Sequence, residues 1–439
     1  MKHQTVGSNF AWTLTAGLVY ALAQWGVLVL YARLGTMEMV GEFALGLAIT
    51  APVMLLARMQ IRTLQATDAR GAYGFEHYLG LLLLTVLGGV VLCCAIAWVA
   101  GYSARVSTII ALLALAKGFE ALSEAFYGAL QKAERMSLIA RSLSAKSVLS
   151  VVLVGLALWL TGSAILAAVA LVLSWATVLF LFDTQAYRRE FGERPWRLLW
   201  RTPWREQGGR LKSLLGLAYA LGITALLSSL RPNVPRYILE AHFGQAELGM
   251  YAALAYFTAL GGRVVQALGQ AVSPRLGRYH AEGDQRRYGR ALAGFTGAAG
   301  LVGLCAIAGA VLLGRWALTL FYGAAYAQNL PLFVWLMVAA ALEYVCVSLQ
   351  IGLTAARELK AQVVMLAGSI GVVALGSAWW VPSAGPMGAA WALALGWLIE
   401  LSCSAALTVR AWKRLGVHAV GPAPSGSGGP ATPQADAAS

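Results

Sequence analysis

Apolar residues in this chain come in long runs separated by short basic stretches, not in the alternating pattern of a soluble sheet. A helix that crosses a bilayer needs about 20 mostly apolar residues. That ruler predicts spans near 9–31, 40–61, 78–101, 105–128, 147–161, 164–186, 213–238, 248–270, 291–313, 328–353, 362–381 and 388–410. The fifth is short unless it runs past Ser163.

Lys and Arg order these spans, because they gather in cytoplasmic loops. One set of alternate loops holds Arg62 and Arg70, Lys132 to Lys146, Arg188 to Lys212, Arg275 to Arg290, Arg357 and Lys360, and Arg410 to Arg414. The other set has little beyond Arg33, Arg105 and Arg315. Only an even number of helices keeps this alternation, so twelve spans with both termini cytoplasmic are expected. The first apolar run is longer than a secretory h-region and no small-residue cleavage site follows, so it is read as a retained helix.

Composition agrees with lipid as the solvent. The chain is 59% hydrophobic and 12% charged, where a soluble domain carries about 25% charged residues. The net charge of +14 lies in short loops and does not point to nucleic acid. The five Cys and five His residues have no metal-ligand spacing, and no metal or cofactor is expected. No Asp-x-Asp, Ser/His/Asp set or Gly-rich nucleotide loop appears, and every predicted periplasmic loop is short, which argues against an enzyme.

The longest loop, 187–212, carries eight Arg/Lys residues with Trp196, Trp200 and Trp204. It is read as a basic cytoplasmic linker that can also lie on anionic headgroups. It divides the chain into an N-terminal six-helix lobe, 1–186, and a C-terminal one, 213–414, with a Gly/Pro/Ser/Ala-rich tail, 415–439, expected to be disordered. A repeat supports the division: Leu34-Gly35-x-x-Glu38-x-x-Gly41-x-Phe43-Ala44 matches Phe243-Gly244-x-x-Glu247-x-Gly249-x-Tyr251-Ala252 with one gap. Both stretches open the second helix of a half, so the pseudo-two-fold axis lies along the membrane normal.

Several segments resemble the polysaccharide-transporter branch of the multidrug/oligosaccharidyl-lipid/polysaccharide (MOP) exporter superfamily. They are Phe321-Tyr322-Gly323-Ala324-Ala325-Tyr326-Ala327 with Pro331-Leu332, and Gln270-Ala271-Val272-Ser273-Pro274-Arg275-Leu276 running on to Glu282-Gly283-Asp284. Gly385-x-x-Gly388-Ala389-Ala390-Trp391, Asn9-x-x-Trp12 and the turn from Gln65 to Asp68 complete the set. Each is weak alone; their order spans nearly the whole chain. The resemblance implies an all-α, MATE-like fold and a flippase in the bacterial inner (plasma) membrane. Its substrate would be an undecaprenyl-pyrophosphate-linked oligosaccharide of the O-antigen, exopolysaccharide or capsule type. Partners would be that substrate, the bilayer and other membrane proteins of polysaccharide assembly. A lipid II flippase and a multidrug/cation antiporter are the alternatives within the superfamily; a polymerase or ligase is the remote one.

Ionisable groups at bilayer depth are expensive and usually face a cavity or a partner. Lys117, Glu120 and Glu124 share one helix face with Tyr127. Either they line a cavity or Lys117 and Glu120 neutralise each other. Asn9, Thr13, Tyr20, Gln24 and Tyr31 form one stripe on the first helix; Tyr256, Arg263 and Gln270, with Gln266 beside them, form another on the eighth. Both either line an aqueous cavity or join helices in a dry bundle.

Arg231-Pro232-Asn233-Val234-Pro235-Arg236 should bend or break the seventh helix. Its arginines either face a cavity or reach the outer surface. Arg58, Lys117, Arg231, Arg236 and Arg263 are therefore the candidate cations for a pyrophosphate, which guanidinium groups match with bidentate geometry. Glu120, Glu124, Glu343 and Glu400 are the candidates for a coupling ion. Gly294, Gly297, Gly300 and Gly303 predict close helix packing on the ninth helix.

Overall fold

The computed structural model describes residues 6–68, 71–201 and 204–418, and for 6–11, 13–14, 200–201, 204–207 and 416–418 the backbone alone. Asn9, Thr13, Trp200 and Trp204 therefore lie outside the described side chains, as does the tail from 419 onward. All regular structure among the described residues is helical.

The first half contains α1 (Val6–Leu34), α2 (Met37–Arg58), a short α3 (Ile61–Thr67), α4 (Phe75–Val99), α5 (Ala104–Lys132) and α6 (Met136–Thr161). A further span, Ala164–Phe191, is built from α7 (Ala164–Thr177), a π-helical stretch (Val178–Asp183) and α8 (Thr184–Phe191). A short α9 (Pro195–Arg201) leads into α10 (Trp204–Ala281), followed by α11 (Gln285–Phe321), α12 (Ala324–Ala327), α13 (Leu330–Ala355), α14 (Leu359–Ala384) and α15 (Pro386–His418). Helix starts carry the side chains that satisfy free backbone N–H groups: Thr36, Ser103, Ser163 and Asp284 each accept from a main-chain N–H three residues on.

Eleven described helices are long and apolar enough to cross a membrane, and one of them covers Gly208–Ala281, 74 residues. At 1.5 Å per residue an unbroken helix of that length would run about 110 Å, far beyond a hydrocarbon core of about 30 Å. It is not unbroken. Gly244 has φ 77° and ψ −169°, a backbone region essentially restricted to glycine, and the chain reverses there. The expected seventh and eighth spans are its two arms, so the described residues contain twelve helical segments of crossing length.

Three expectations need correction. The fifth span does not begin at 147: α6 starts at Met136, because the buried Lys146 is neutralised inside the protein and the helix continues past it. The helix is not broken at Pro232 or Pro235, where α10 stays helical; the only non-helical backbone inside it is at Gly244. Of the ninth-helix glycines, Gly303 packs against Ala341 and Gly300 approaches Val345, but Gly294 and Gly297 face open space.

The 187–212 segment is mostly helical. Leu199, Leu211 and Leu214 are buried in a cluster with Tyr78, Leu79 and Leu82 of α4. Trp196 packs on Phe126 and Phe180 and donates its indole N–H to Thr184 Oγ1 at 3.2 Å. It is held by protein contacts.

The loop ends divide the bundle into a basic face and an opposite face, and the opposite face is closed. There α2 packs on the second arm of α10 at a spacing set by glycine: a Cβ on Gly41 would overlap the Gln245 carbonyl, and one on Gly249 would overlap that of Met37. Beside them, Arg33 at the end of α1 donates to the carbonyl oxygens of Thr319 (2.7 Å), Phe321 (3.1 Å) and Leu320. Trp25 donates to the Tyr322 hydroxyl at 2.9 Å and stacks edge-on against Phe321 and Phe257. Tyr237 donates to the Ala48 carbonyl, and Tyr102 to Glu240 at 3.3 Å.

Candidate functional site

Two groups of buried or half-buried charge within the membrane-spanning helices contain residues expected from the sequence. The first is assembled where α2 gives way to α3. Met59 and Gln60 both have positive φ, 45° and 50°, an uncommon conformation for residues with a Cβ. The break leaves Arg58 and Arg62 on either side, both turned toward α5. Arg58 lies 3.7 Å from Glu120 and 3.9 Å from Glu124, and Arg62 lies 3.7 Å from Glu124. Glu120 also accepts from Lys117 at 2.9 Å and from the Tyr20 hydroxyl at 2.6 Å. Lys117 sits 4.8 Å from the centre of the Trp175 ring. The Lys117–Glu120 pair thus forms, but it does not close on itself: Tyr20 and Arg58 complete it.

The second group lies in the C-terminal half. Arg231 pairs with Glu400, whose other oxygen accepts from Gln350 at 2.6 Å, and the Arg231 guanidinium stacks 3.3 Å from the centre of the Trp397 ring. Arg236 donates to Asn233 at 3.1 Å. Arg231, Arg236, Tyr251, Glu343, Trp397 and Thr258 line one cavity of about 120 Å³, room for a small anion or a few waters. Three donors on its wall have no acceptor: Nε of Arg231, Nε of Arg236 and the Tyr251 hydroxyl are all buried and without a hydrogen bond. A buried donor left unmade costs about 1–3 kcal/mol, so these three are free to donate to an acceptor that enters the cavity.

Arg263, Gln266 and Gln270 are exposed and Tyr256 is half-buried. The other side of that helix packs inward, with Gly261 against Tyr344, Val265 buried and Gly269 against Ile351. Gln24 is half-buried on α1, one turn beyond Tyr20. Among the described residues, no hydrogen bond or ion pair joins the Glu120 group to the Arg231 group, and none involves Arg263. The structure therefore brings Arg58 together with Lys117, and Arg231 with Arg236, leaving Arg263 apart.

Sequence reasoning missed a third buried charge pair. Lys146 Nζ lies 3.3 Å from Asp183 Oδ2, with both side chains almost fully buried. Lys146 donates to Tyr127 at 3.0 Å and to Ser123, while Tyr127 and Ser142 share a 2.7 Å hydrogen bond. Asp183 closes the π-helical stretch, an irregularity often found at functional positions. The signal available in the sequence was Asp183 itself, an acid directly after the apolar run Val178–Phe182.

Comparison with known proteins places this geometry. Residues 6–280 match the model of the family described as polysaccharide biosynthesis protein. The chain belongs to that family. The capsular polysaccharide biosynthesis protein CapF of Staphylococcus aureus is 25% identical over 321 residues, covering 73% of this chain and 78% of CapF. Solved structures of MOP-superfamily transporters share the fold. The lipid II flippase MurJ in an inward closed conformation has a TM-score of 0.69 at 11% identity, covering 94% of this chain and 91% of MurJ. An inward-facing MATE multidrug transporter scores 0.68 at 14% identity, covering 92% and 96%. An outward-facing one scores 0.57 at 14% identity, covering 92% and 94%. This member of a polysaccharide biosynthesis family thus has the fold of the MOP-superfamily transporters.

Proposed function

We propose that this chain is a flippase for undecaprenyl-pyrophosphate-linked oligosaccharide repeat units, of the O-antigen, exopolysaccharide or capsule type. It works in the bacterial plasma membrane with both termini cytoplasmic, so the basic face is the cytoplasmic one and the closed face is periplasmic. Residues 1–186 and 213–414 form the two lobes, joined by the basic linker 187–212, and they rock about the site in alternating access.

The observation that carries this reading is the set of unmet donors, Arg231 Nε, Arg236 Nε and Tyr251 OH, on the wall of one cavity. Phosphate oxygens are the acceptors that guanidinium groups match best. Charge balance supports it too. Arg58, Arg62, Lys117, Arg231, Arg236 and Arg263 are six cations against four carboxylates, Glu120, Glu124, Glu343 and Glu400. The surplus is one positive charge at the Arg58–Lys117 group and one at Arg263, while the Arg231 cavity itself balances two arginines against Glu343 and Glu400. A set that is net positive would repel the organic cations that a cation antiporter exports. Carrying a phosphate through bare hydrocarbon is prohibitive, whereas a cavity shelters the headgroup while the polyprenyl chain stays in lipid.

Of the four acids, Glu343 is the one on the cavity wall with no ion pair among the described residues, which makes it the best placed to carry a coupling proton. The test is genetic and direct. Deleting the gene should abolish one surface polysaccharide while its lipid-linked units accumulate on the cytoplasmic side. A deletion strain with normal surface glycans and no accumulated intermediate would overturn the reading.

A further inference from the structure

A groove at the basic ends of α11 and α15 shares no residue with either charge group. It measures about 430 Å³, and its walls include Leu292, Ala293, Leu349, Val409 and Trp412. The two helices are pinned at this level by a reciprocal pair of bonds: Gln285 donates to the Trp412 carbonyl and the Trp412 indole donates back to the Gln285 carbonyl, both at 3.1 Å. The groove is a fixed feature between two clamped helices. Beyond it α11 turns Leu301, Leu304 and Leu312 outward, so the apolar wall continues into the surface that faces hydrocarbon.

At the groove's basic end stand Arg286 and Arg290. Both are exposed, and among the described residues neither has an ion-pair partner. Two nearby arginines do: Arg287 is paired with Asp284 at 3.2 Å, and Arg414 with Glu358 at 3.1 Å. Inside, the Thr408 hydroxyl is buried and makes no hydrogen bond. Two free guanidinium groups at the headgroup level, an unmet hydroxyl and an apolar trough running into the bilayer match an anionic amphiphile. Basic pockets between transmembrane helices hold acidic lipid headgroups in this way.

We propose that this groove is a binding site for an anionic phospholipid of the leaflet that meets the basic face. The phosphate sits between Arg286 and Arg290, and one acyl chain runs along Leu292, Ala293 and Trp412. The occupant is a resident lipid and not the transported one, because the groove and the Arg231 cavity have no lining residue in common.

Native mass spectrometry of the full chain, delipidated and offered equal phosphatidylglycerol and phosphatidylcholine, tests this. Phosphatidylglycerol should be retained over phosphatidylcholine on the order of thirtyfold, the worth of two arginine contacts near a membrane surface. The R286Q/R290Q double variant should lose that preference, and A293F, which fills the trough but keeps both arginines, should lose retention. R287Q, whose arginine is already paired, should behave as native. Equal retention of the two lipids, or unchanged phosphatidylglycerol retention in R286Q/R290Q, would overturn the site. Displacement of phosphatidylglycerol by an equimolar polyprenyl phosphate would overturn the resident-lipid assignment.

Discussion

Gly41 and Gly249 meet face to face, each against the carbonyl oxygen of the residue four positions before the other. The reciprocity is what a two-fold axis between the two helices requires, and these are the glycines that the sequence repeat aligns. Helices in lipid gain by close backbone approach, and here the approach leaves no space for a methyl group. G41A or G249A should therefore weaken the closed face by about 1–3 kcal/mol, the usual cost of overpacking. A cysteine at Ser228, on the cavity wall, should then react faster with an impermeant maleimide from that side. G294A, where a Cβ meets nothing, should leave the rate unchanged.

Arg33 secures the same face by a different interaction. Its guanidinium binds three carbonyl oxygens at the C-terminal end of α11, where unpaired carbonyls concentrate partial negative charge. A cation in that position on an exposed surface contributes about 0.3–1 kcal/mol. R33Q should thus leave the melting temperature almost unchanged while raising labelling of S228C by no more than severalfold. An unchanged labelling rate would mean that the contact plays no part in closure.

Arg231 and Glu400 call for a paired experiment. Both are buried, and removing one partner leaves an uncompensated charge at a cost on the order of 3–5 kcal/mol, whereas replacing both by apolar residues is often neutral. E400Q should lower the melting temperature sharply, and R231M/E400L should restore it. Transport should stay lost in the double variant, since the restored protein lacks the guanidinium that faces the cavity. Recovery of transport along with stability in the double variant would reduce the pair to a structural role.

The sequence made the twelve crossings, their even parity and the repeat readable, because each rests on long apolar runs or on glycine spacing. It did not make Lys146 readable. With Arg135, Arg141 and Lys146 close together, the start of α6 looks like a basic loop, and only the fold shows that Asp183, 37 residues on, neutralises the lysine. Of the bend or break expected at the prolines, the break does not occur: Pro232 and Pro235 fit inside α10, and the reversal falls at Gly244. The candidate site is visible in the sequence only as a set of residue types. Which cations share a carboxylate depends on contacts such as Arg58 with Glu120, 62 positions apart, that no local spacing encodes.

Asp68 predicts a pH response outside the membrane. Burial raises its pKa, but the backbone N–H groups of Ala72 and Tyr73, the Tyr78 hydroxyl and nearby Lys132 bring it below the ordinary carboxylate value. A carboxyl with a lowered folded-state pKa stabilises the fold fully above its unfolded pKa of about 3.9. The stabilisation is then lost as pH falls through the folded value. Hydrogen exchange at Ala72 and Tyr73, corrected for intrinsic rate, should show the turn opening only below about pH 4. D68N should show higher opening that is flat with pH.

Arg236 offers the cleanest test of the proposed pyrophosphate site. Among the described residues it has, unlike Arg231, no carboxylate partner, and its one hydrogen bond goes to Asn233, a turn away on the same helix. Its removal strands no buried acid, so R236Q should fold and insert as the native chain does. The loss should appear in transport. A guanidinium hydrogen bond to a charged acceptor contributes about 1.5–3 kcal/mol, which corresponds to roughly a 10- to 150-fold weaker hold on a pyrophosphate headgroup. Binding of undecaprenyl-pyrophosphate oligosaccharide to the purified protein should fall by that factor, and R236K should recover little of it, because an ammonium does not reproduce the planar fork. Y251F, which removes only the unmet hydroxyl, should weaken binding in the same direction by a smaller factor. Native affinity in both R236Q and Y251F would show that the substrate phosphates bind elsewhere, and the surplus charge at Arg58 and Lys117 would become the next place to look.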